Sequence, residues 1–302
     1  MLAGDLLLLG SEGQLGREVA KLAASRGIPL NSIPHRVLDI TDAAGLRRIL
    51  DKGYYATVIN AAAYTAVDKA ESEEDLAMSV NRDGAASVAE SCRLREVALI
   101  HISTDYVFDG SKGAPYVESD ATTPLGVYGR SKAGGEAAVR ERCPRHVILR
   151  TSWVFGAQGG NFVKTMLRLG RERQELSVVA DQRGCPTPAR SLASAILAVA
   201  AQMREAPWGT YHCCGEEATT WFDFAETIFA ERQALTGEVP PSVKPIATKD
   251  YPTPAKRPAD SRLDCSAFRA RFGQAAIDWR AGLRDVLREL HGADAVQPAG
   301  GQ

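Results

Sequence analysis

A chain of 302 residues with 45% hydrophobic and 24% charged side chains has an ordinary globular composition and enough length for one large α/β domain or two moderate ones. Its formal net charge of -1 gives no broad field to hold nucleic acid or an anionic membrane, so neither is expected as a partner and a small molecule is. Cys92, Cys143, Cys185, Cys213, Cys214 and Cys265 lack C-x-x-C or His-rich spacing, which argues against a zinc site and a secreted disulfide framework and leaves a reducing cytoplasm as the expected location.

The first predicted element is a strand at residues 6–9, an apolar run bounded by Asp5 and Gly10. It lacks the basic leader of a signal peptide and reads as a buried strand. No later apolar run is long enough to span a bilayer. Gly10-Ser-Glu-Gly13-Gln14-Leu15-Gly16 follows, opening a helix over residues 14–26. Glycines between a strand and a helix let a pyrophosphate approach backbone N–H groups at the helix N-terminus, although glycine also serves such turns for steric reasons alone. At the end of the next strand, where an acidic residue would favour NAD, the chain reads Pro34-His35-Arg36. Arg36 suits a 2′-phosphate and so NADPH, with NADH still open; a solvated surface arginine is the alternative. Asp39 is placed near the adenine, and Thr41-Asp42 reads as an N-cap.

A strand at 57–60 ends in Asn60-Ala-Ala-Ala63, small residues suited to backbone passing close to a flat cofactor. The acidic stretch from Glu71 to Asp75 reads as helix N-terminal charge on a solvated surface, ahead of a helix around 81–95. A strand at 97–103 leads into Ser103-Thr-Asp-Tyr-Val-Phe-Asp-Gly110, and a Pro- and Thr-containing loop leads to Tyr128-x-x-x-Lys132. A tyrosine and a lysine four apart share one helix face, with Cβ atoms about 5–6 Å apart. The ammonium favours phenolate and is expected to lower the tyrosine pKa from about 10, which with a nearby hydroxyl makes a metal-free carbonyl-reducing site. A solvated helix lysine is the ordinary alternative for Lys132. A strand at 146–151 closes a series of βαβ units, the signature of a parallel sheet covered on both faces.

The second half has strands at 176–180 and 209–213 and helices at 188–203 and 220–231. A Pro-rich run at 239–258 reads as an irregular cap. Trp221, Phe222 and Phe224 follow the N-cap Thr220 and are expected to pack the helix without chemistry, and Cys213 and Cys214 to point to opposite faces of a strand. The expected division is 1–150 for dinucleotide binding, with some later strands returning to it, 151–292 mainly for substrate, and a flexible tail at 293–302.

Residues 10–16, Asn60-Ala-Ala-Ala-Tyr-Thr-Ala-Val-Asp-Lys-Ala-Glu71, the 103–110 phrase, Tyr128-x-x-x-Lys132, Arg150-Thr-Ser-Trp-Val-Phe-Gly156 and Arg257-Pro-x-x-Ser-Arg-Leu-Asp264 together resemble the dTDP-4-dehydrorhamnose reductases. These are extended short-chain dehydrogenase/reductases, and the resemblance runs over nearly the whole chain. It implies a Rossmann-type doubly wound parallel sheet with a smaller C-terminal substrate-binding α/β domain. It further implies reduction of the C4 ketone of dTDP-4-dehydro-L-rhamnose by NADPH or NADH, in the supply of dTDP-L-rhamnose for cell-surface polysaccharide.

By the same resemblance Tyr128 is the proton donor, Lys132 binds the nicotinamide ribose and tunes the tyrosine, and Thr104 hydrogen-bonds the substrate carbonyl. Asp105 and Trp153 match sugar-binding positions, while a loop-capping Asp105 and a core Trp153 stay open as readings of the residues alone. Gly13, Gln14, Leu15, Asp39, Ile40, Ala63, Tyr64, Thr65 and Ile102 match cofactor-lining positions, beside Gly10 and Gly16 of the turn. Tyr64 stands where relatives carry histidine, and Ile102 where one carries tyrosine. Some relatives dimerise through magnesium held by glutamates; the matching stretches here offer Leu15 or Arg17, Arg190 and His291, so a magnesium-bridged dimer is not expected, and monomer and homodimer both remain open. Two other functions compete: a non-catalytic NADP-binding regulatory subunit, and a reductase or epimerase of another nucleotide sugar.

Overall fold

A computed structural model describes residues 4–204 and 207–296, the side chains of 294–296 excepted. Five strands, β1 (Asp5–Leu9), β2 (Leu30–Ile33), β3 (Tyr55–Asn60), β4 (Ala98–Thr104) and β5 (His146–Thr151), form one parallel sheet together with Gly209–His212. From one edge to the other the order is Gly209–His212, β5, β4, β3, β1, β2. In β1 the four leucines alternate between two cores: Leu6 and Leu8 face the helices Gln14–Ser25 and Ala189–Ala200, and Leu7 and Leu9 the helices Ala43–Lys52 and Ala85–Leu94. Burial on both faces explains why the strand is apolar throughout.

Helix Gln14–Ser25 and strand His146–Thr151 lie where the sequence places them. The helix expected around 81–95 begins earlier, at Glu74, and takes π geometry over Ser79–Gly84 before continuing as Ala85–Leu94. Asp42 is the N-cap of Ala43–Lys52, accepting from Gly45 N at 2.9 Å.

In the second half, helices Phe162–Glu172, Trp221–Thr236 and Trp279–Val296 share a core built on Phe224, Ile228 and Trp279. The Pro-rich run holds a strand, Ser242–Ile246, paired in parallel with Glu175–Val179. Pro245 at an edge position needs no ladder N–H, which is how the strand escapes its own composition. Helix Trp221–Thr236 outlasts its expected end and stops at Gly237, whose φ of 73° suits glycine. Helix Trp279–Val296 runs into the segment expected to be a tail, and residues 297–302 lie outside the described residues. Cys213 and Cys214 enter different cores, and among the described residues no helix is long and apolar enough to cross a membrane.

Candidate active site

The turn after β1 brings three pieces of backbone together. Gly10 has φ +77°, and a Cβ there would lie 2.6 Å from Ala62 N; one on Gly16 would lie 2.2 Å from Gly10 O. Glycine is therefore required at both positions. Gly13, the N-cap of Gln14–Ser25, supplies no side-chain bond to the first turn, so those N–H groups are available to an anion.

Gly13, Gln14, Leu15, Ala63, Thr65 and Ile102 line one end of a cavity of about 560 Å³ above the carboxyl ends of the strands. The Gln14 side chain is committed to protein, donating to Val154 O at 3.0 Å and accepting from Asn161 Nδ2 at 2.7 Å. Tyr64 turns its hydroxyl to Glu73 at 2.7 Å, while its backbone N–H and carbonyl pair with Asn81. Tyr64 does not line the cavity, although its neighbours Ala63 and Thr65 do.

Arg36, Asp39 and Ile40 lie beyond the cavity, past the end of β2. Arg36 meets Glu12 across the turn at 3.4 Å and is otherwise exposed. Asp39 accepts from Thr41 N at 2.9 Å and Thr41 Oγ1 at 2.8 Å. The backbone bond above all holds its carboxyl below the usual range. Ile40 is buried against Gly84.

At mid-cavity, Thr104 ends β4 and Tyr128 and Lys132 project from helix Val127–Arg142. The neighbouring Ser103 hydroxyl is committed to the same helix, donating to Glu136 at 2.6 Å. Both residues line the cavity, and Thr104 is the one whose hydroxyl is hydrogen-bonded to Tyr128. Lys132 Nζ donates to Ile102 O at 2.7 Å. Burial lowers the Lys132 pKa to about 8, opposed by the Glu136 charge.

The tyrosine departs from the expected tuning. Burial pushes Tyr128 up to about 12, with Asp105 adding to the rise and Thr104 opposing it. In the chain alone, desolvation of the phenolate outweighs any help from the helix lysine.

The rest of the cavity wall includes Asp105, Ser152, Trp153 and Trp221. Asp105 does not cap the loop before Asp109, whose carboxylate instead accepts from Ser111 N at 3.0 Å. Trp153 has φ +46°, a strained value for so large a residue, and stacks on Trp221 at 3.4 Å between ring centroids. A Cβ at Gly184 would come within 2.4 Å of the Trp153 indole.

Trp221 does pack the helix, as expected, against Phe162 at 4.6 Å, but it also lines the cavity. Nothing in its local spacing signals that. Glu71, read from sequence as surface charge, accepts from Val127 N at 2.8 Å and so caps the helix that carries Tyr128.

Thr104, Tyr128 and Lys132 meeting in one cavity at the carboxyl ends of a doubly wound sheet fit the class: a nicotinamide-dependent oxidoreductase of the short-chain dehydrogenase/reductase type. The model of the RmlD substrate binding domain matches residues 4–291. The dTDP-4-dehydrorhamnose reductase of Aggregatibacter actinomycetemcomitans is 45% identical over 286 residues, covering 93% of this chain and 97% of the relative. That of Escherichia coli K12 is 39% identical over 299 residues, covering 97% and 100%. A solved Bacillus anthracis dTDP-4-dehydrorhamnose reductase in complex with NADP has a TM-score of 0.88 at 35% identity, covering 95% of this chain and 99% of its own. The chain belongs to the dTDP-4-dehydrorhamnose reductase family.

Proposed function

We propose that this protein reduces the C4 ketone of dTDP-4-dehydro-L-rhamnose to give dTDP-L-rhamnose, with NADPH as reductant, in the cytoplasm. The observation that carries this reading is the convergence of Thr104, Tyr128 and Lys132 in a cavity continuous with the glycine turn. The residues fit a dinucleotide: Gly10 and Gly16 let the turn close tightly, and the uncapped N–H groups after Gly13 would hold its pyrophosphate. The B. anthracis relative holds NADP, and Arg36 offers a cation for the 2′-phosphate. Asp39, engaged by Thr41, and Ile40 would flank the adenosine.

When bound, the reduced nicotinamide supplies hydride to the sugar C4. Tyr128 donates its phenolic proton to the C4 oxygen as negative charge develops there, while Lys132 remains an ammonium at neutral pH and favours the phenolate left behind. Thr104, hydrogen-bonded to Tyr128, holds that hydroxyl toward the oxygen. Asp105 and Trp153, with Trp221 behind, bound the sugar. A magnesium-bridged dimer is not supported by the side chains, since Arg17 and Arg190 oppose a divalent cation; monomer and homodimer are separable by light scattering.

The test follows NADPH absorbance with dTDP-4-dehydro-L-rhamnose for wild type and Tyr128→Phe. A fall of roughly two to four orders of magnitude in kcat is expected for the variant. Equal rates would remove Tyr128 from its role. NADPH binding without oxidation by wild type would favour a regulatory subunit, and turnover of another nucleotide sugar without net oxidation an epimerase.

A further inference from the structure

Beside Thr104 lies a buried carboxylate held by the hydroxyl of that neighbour and by hydroxyls from two distant parts of the chain. Asp105 is 1% exposed. Its Oδ1 accepts from Thr104 Oγ1 at 3.0 Å and its Oδ2 from Ser152 Oγ at 3.1 Å. The Ser261 hydroxyl makes a third bond to it, and lies 3.5 Å from Arg183 O. Ser152, which donates to Asp105, in turn accepts from Cys185 N at 3.4 Å, so a backbone N–H helps to fix its hydroxyl. Ser261 is fixed by its backbone, donating from N to Arg183 O at 2.9 Å.

The proton inventory of Thr104 gives this arrangement a consequence. Its hydroxyl has one proton and two lone pairs. With Asp105 ionised, the proton goes to Oδ1; one lone pair takes Tyr106 N–H at 3.2 Å, and the other can only accept from Tyr128. In that state Thr104 has nothing to donate. With Asp105 protonated, the carboxylic O–H donates to Thr104 Oγ1, and the Thr104 proton is released toward Tyr128.

We propose that Asp105, held by Ser152 and Ser261, is a positioning residue that supplies a proton through Thr104 to Tyr128 once Tyr128 has given its own to the substrate. The proposal rests on the carbonyl-reducing reading above. As the C–H bond forms at C4, the carbonyl π pair becomes an O–H bond with the Tyr128 proton. The Thr104 proton then passes to the phenolate and the Asp105 proton to Thr104. This leaves a carboxylate, which regains its proton from solvent through the open cavity after product leaves.

Burial, opposed by the hydroxyl bonds of Ser261, Thr104 and Ser152, raises the Asp105 carboxyl to about 6, so both states are accessible near neutrality. The titratable groups that feel its charge are Tyr106, Tyr128 and Cys185, all pushed toward their neutral forms by it. Arg257 acts on Tyr106, and Arg262 on Cys185. Lys132 faces Ile102 and Glu136. Filling the cavity with nicotinamide and sugar removes further water and should carry the titration upward.

The experiment measures kcat and kcat/KM for dTDP-4-dehydro-L-rhamnose from pH 5 to 8.5, and infrared titration of the free protein's carboxyl C=O band, in wild type, Asp105→Asn, Ser261→Ala and Ser152→Ala. Wild type should lose about tenfold in kcat/KM per pH unit above the carboxyl titration, with the limb in kcat displaced upward. Asp105→Asn should be slower and lack the limb, and lack one titrating infrared band. Ser261→Ala, or Ser152→Ala if the first does not fold, removes a donor that favours the ionised form and should move both limb and band to higher pH. A limb unchanged in Asp105→Asn, or a band unmoved by both serine variants, would overturn the relay. Absence of NADPH oxidation by wild type at every pH would overturn the reading on which it rests.

Discussion

Glu136 and Arg150 meet through two parallel N–H···O bonds, from Nε to Oε1 at 2.8 Å and from the terminal nitrogen to Oε2 at 2.7 Å, with both side chains buried. Ser103 adds a third bond to Oε1, and Arg140 reaches Oε2 at 3.1 Å. The pair fastens the helix bearing Tyr128 and Lys132 to β5, one strand from Thr104. Its charges fix the relative height of strand and helix on which the trio depends.

Arg150→Met should therefore destabilise the fold by about 3–5 kcal/mol, because it strands a buried carboxylate. Glu136 has a lowered pKa in the folded chain, so its contribution is present above the ordinary value of 4.5 and is lost as pH falls through the folded one. In the variant, burial acts with less opposition and the carboxyl protonates more easily. Urea unfolding should show the deficit shrinking as pH drops below about 4.5; a deficit constant from about pH 7 down to about 3 would mean that packing, not charge, holds the helix.

Gly16→Ala places a methyl group 2.2 Å from the Gly10 carbonyl, so the turn must open. Affinity for NADPH, read by its fluorescence, should fall at least tenfold with a smaller loss of thermal stability. Undiminished binding would show that the turn does not carry the pyrophosphate.

Arg36→Ala tests cofactor choice. The guanidinium is exposed and holds Glu12 only at 3.4 Å, so it is free to turn to a 2′-phosphate. The variant should raise KM for NADPH roughly tenfold at low salt while sparing NADH, as expected for loss of a charge-assisted contact. Unchanged discrimination would make Arg36 ordinary surface.

Lys132→Met addresses the nicotinamide end. Because burial brings the Lys132 pKa down to about 8 from an ordinary 10.5, the ammonium is present below pH 8 and lost above it. The advantage of wild type over the variant in NADPH affinity should thus be largest at pH 6.5 and fade by pH 9.5. An advantage independent of pH would assign Lys132 a packing role.

Much of this was legible in local spacing. The β1 run, the glycine turn and the Tyr128–Lys132 pair each express a period or a steric need contained within a few residues. The choice of Thr104 over Ser103 came from the family phrase, and the structure gives its reason in the Ser103 hydroxyl being taken by Glu136. What stayed hidden depends on long-range closure. Ser152 and Ser261 reach Asp105 from other parts of the chain, Glu71 caps a helix that begins at Val127, and Trp221 becomes a cavity wall only because Trp153 lies against it. Strand Ser242–Ile246 was masked by a proline that an edge position tolerates.

Strand Gly209–His212 seals the outer edge of β5, and helix Ala189–Ala200 covers the leucines of β1 from the same half of the sequence. A fragment cut after Thr151 would keep the glycine turn, Thr104, Tyr128 and Lys132, yet bare a sticky strand and half of an apolar face. The two halves of the sequence are thus stitched into one object, and a recombinant dissection at the midpoint should yield aggregate instead of a working half.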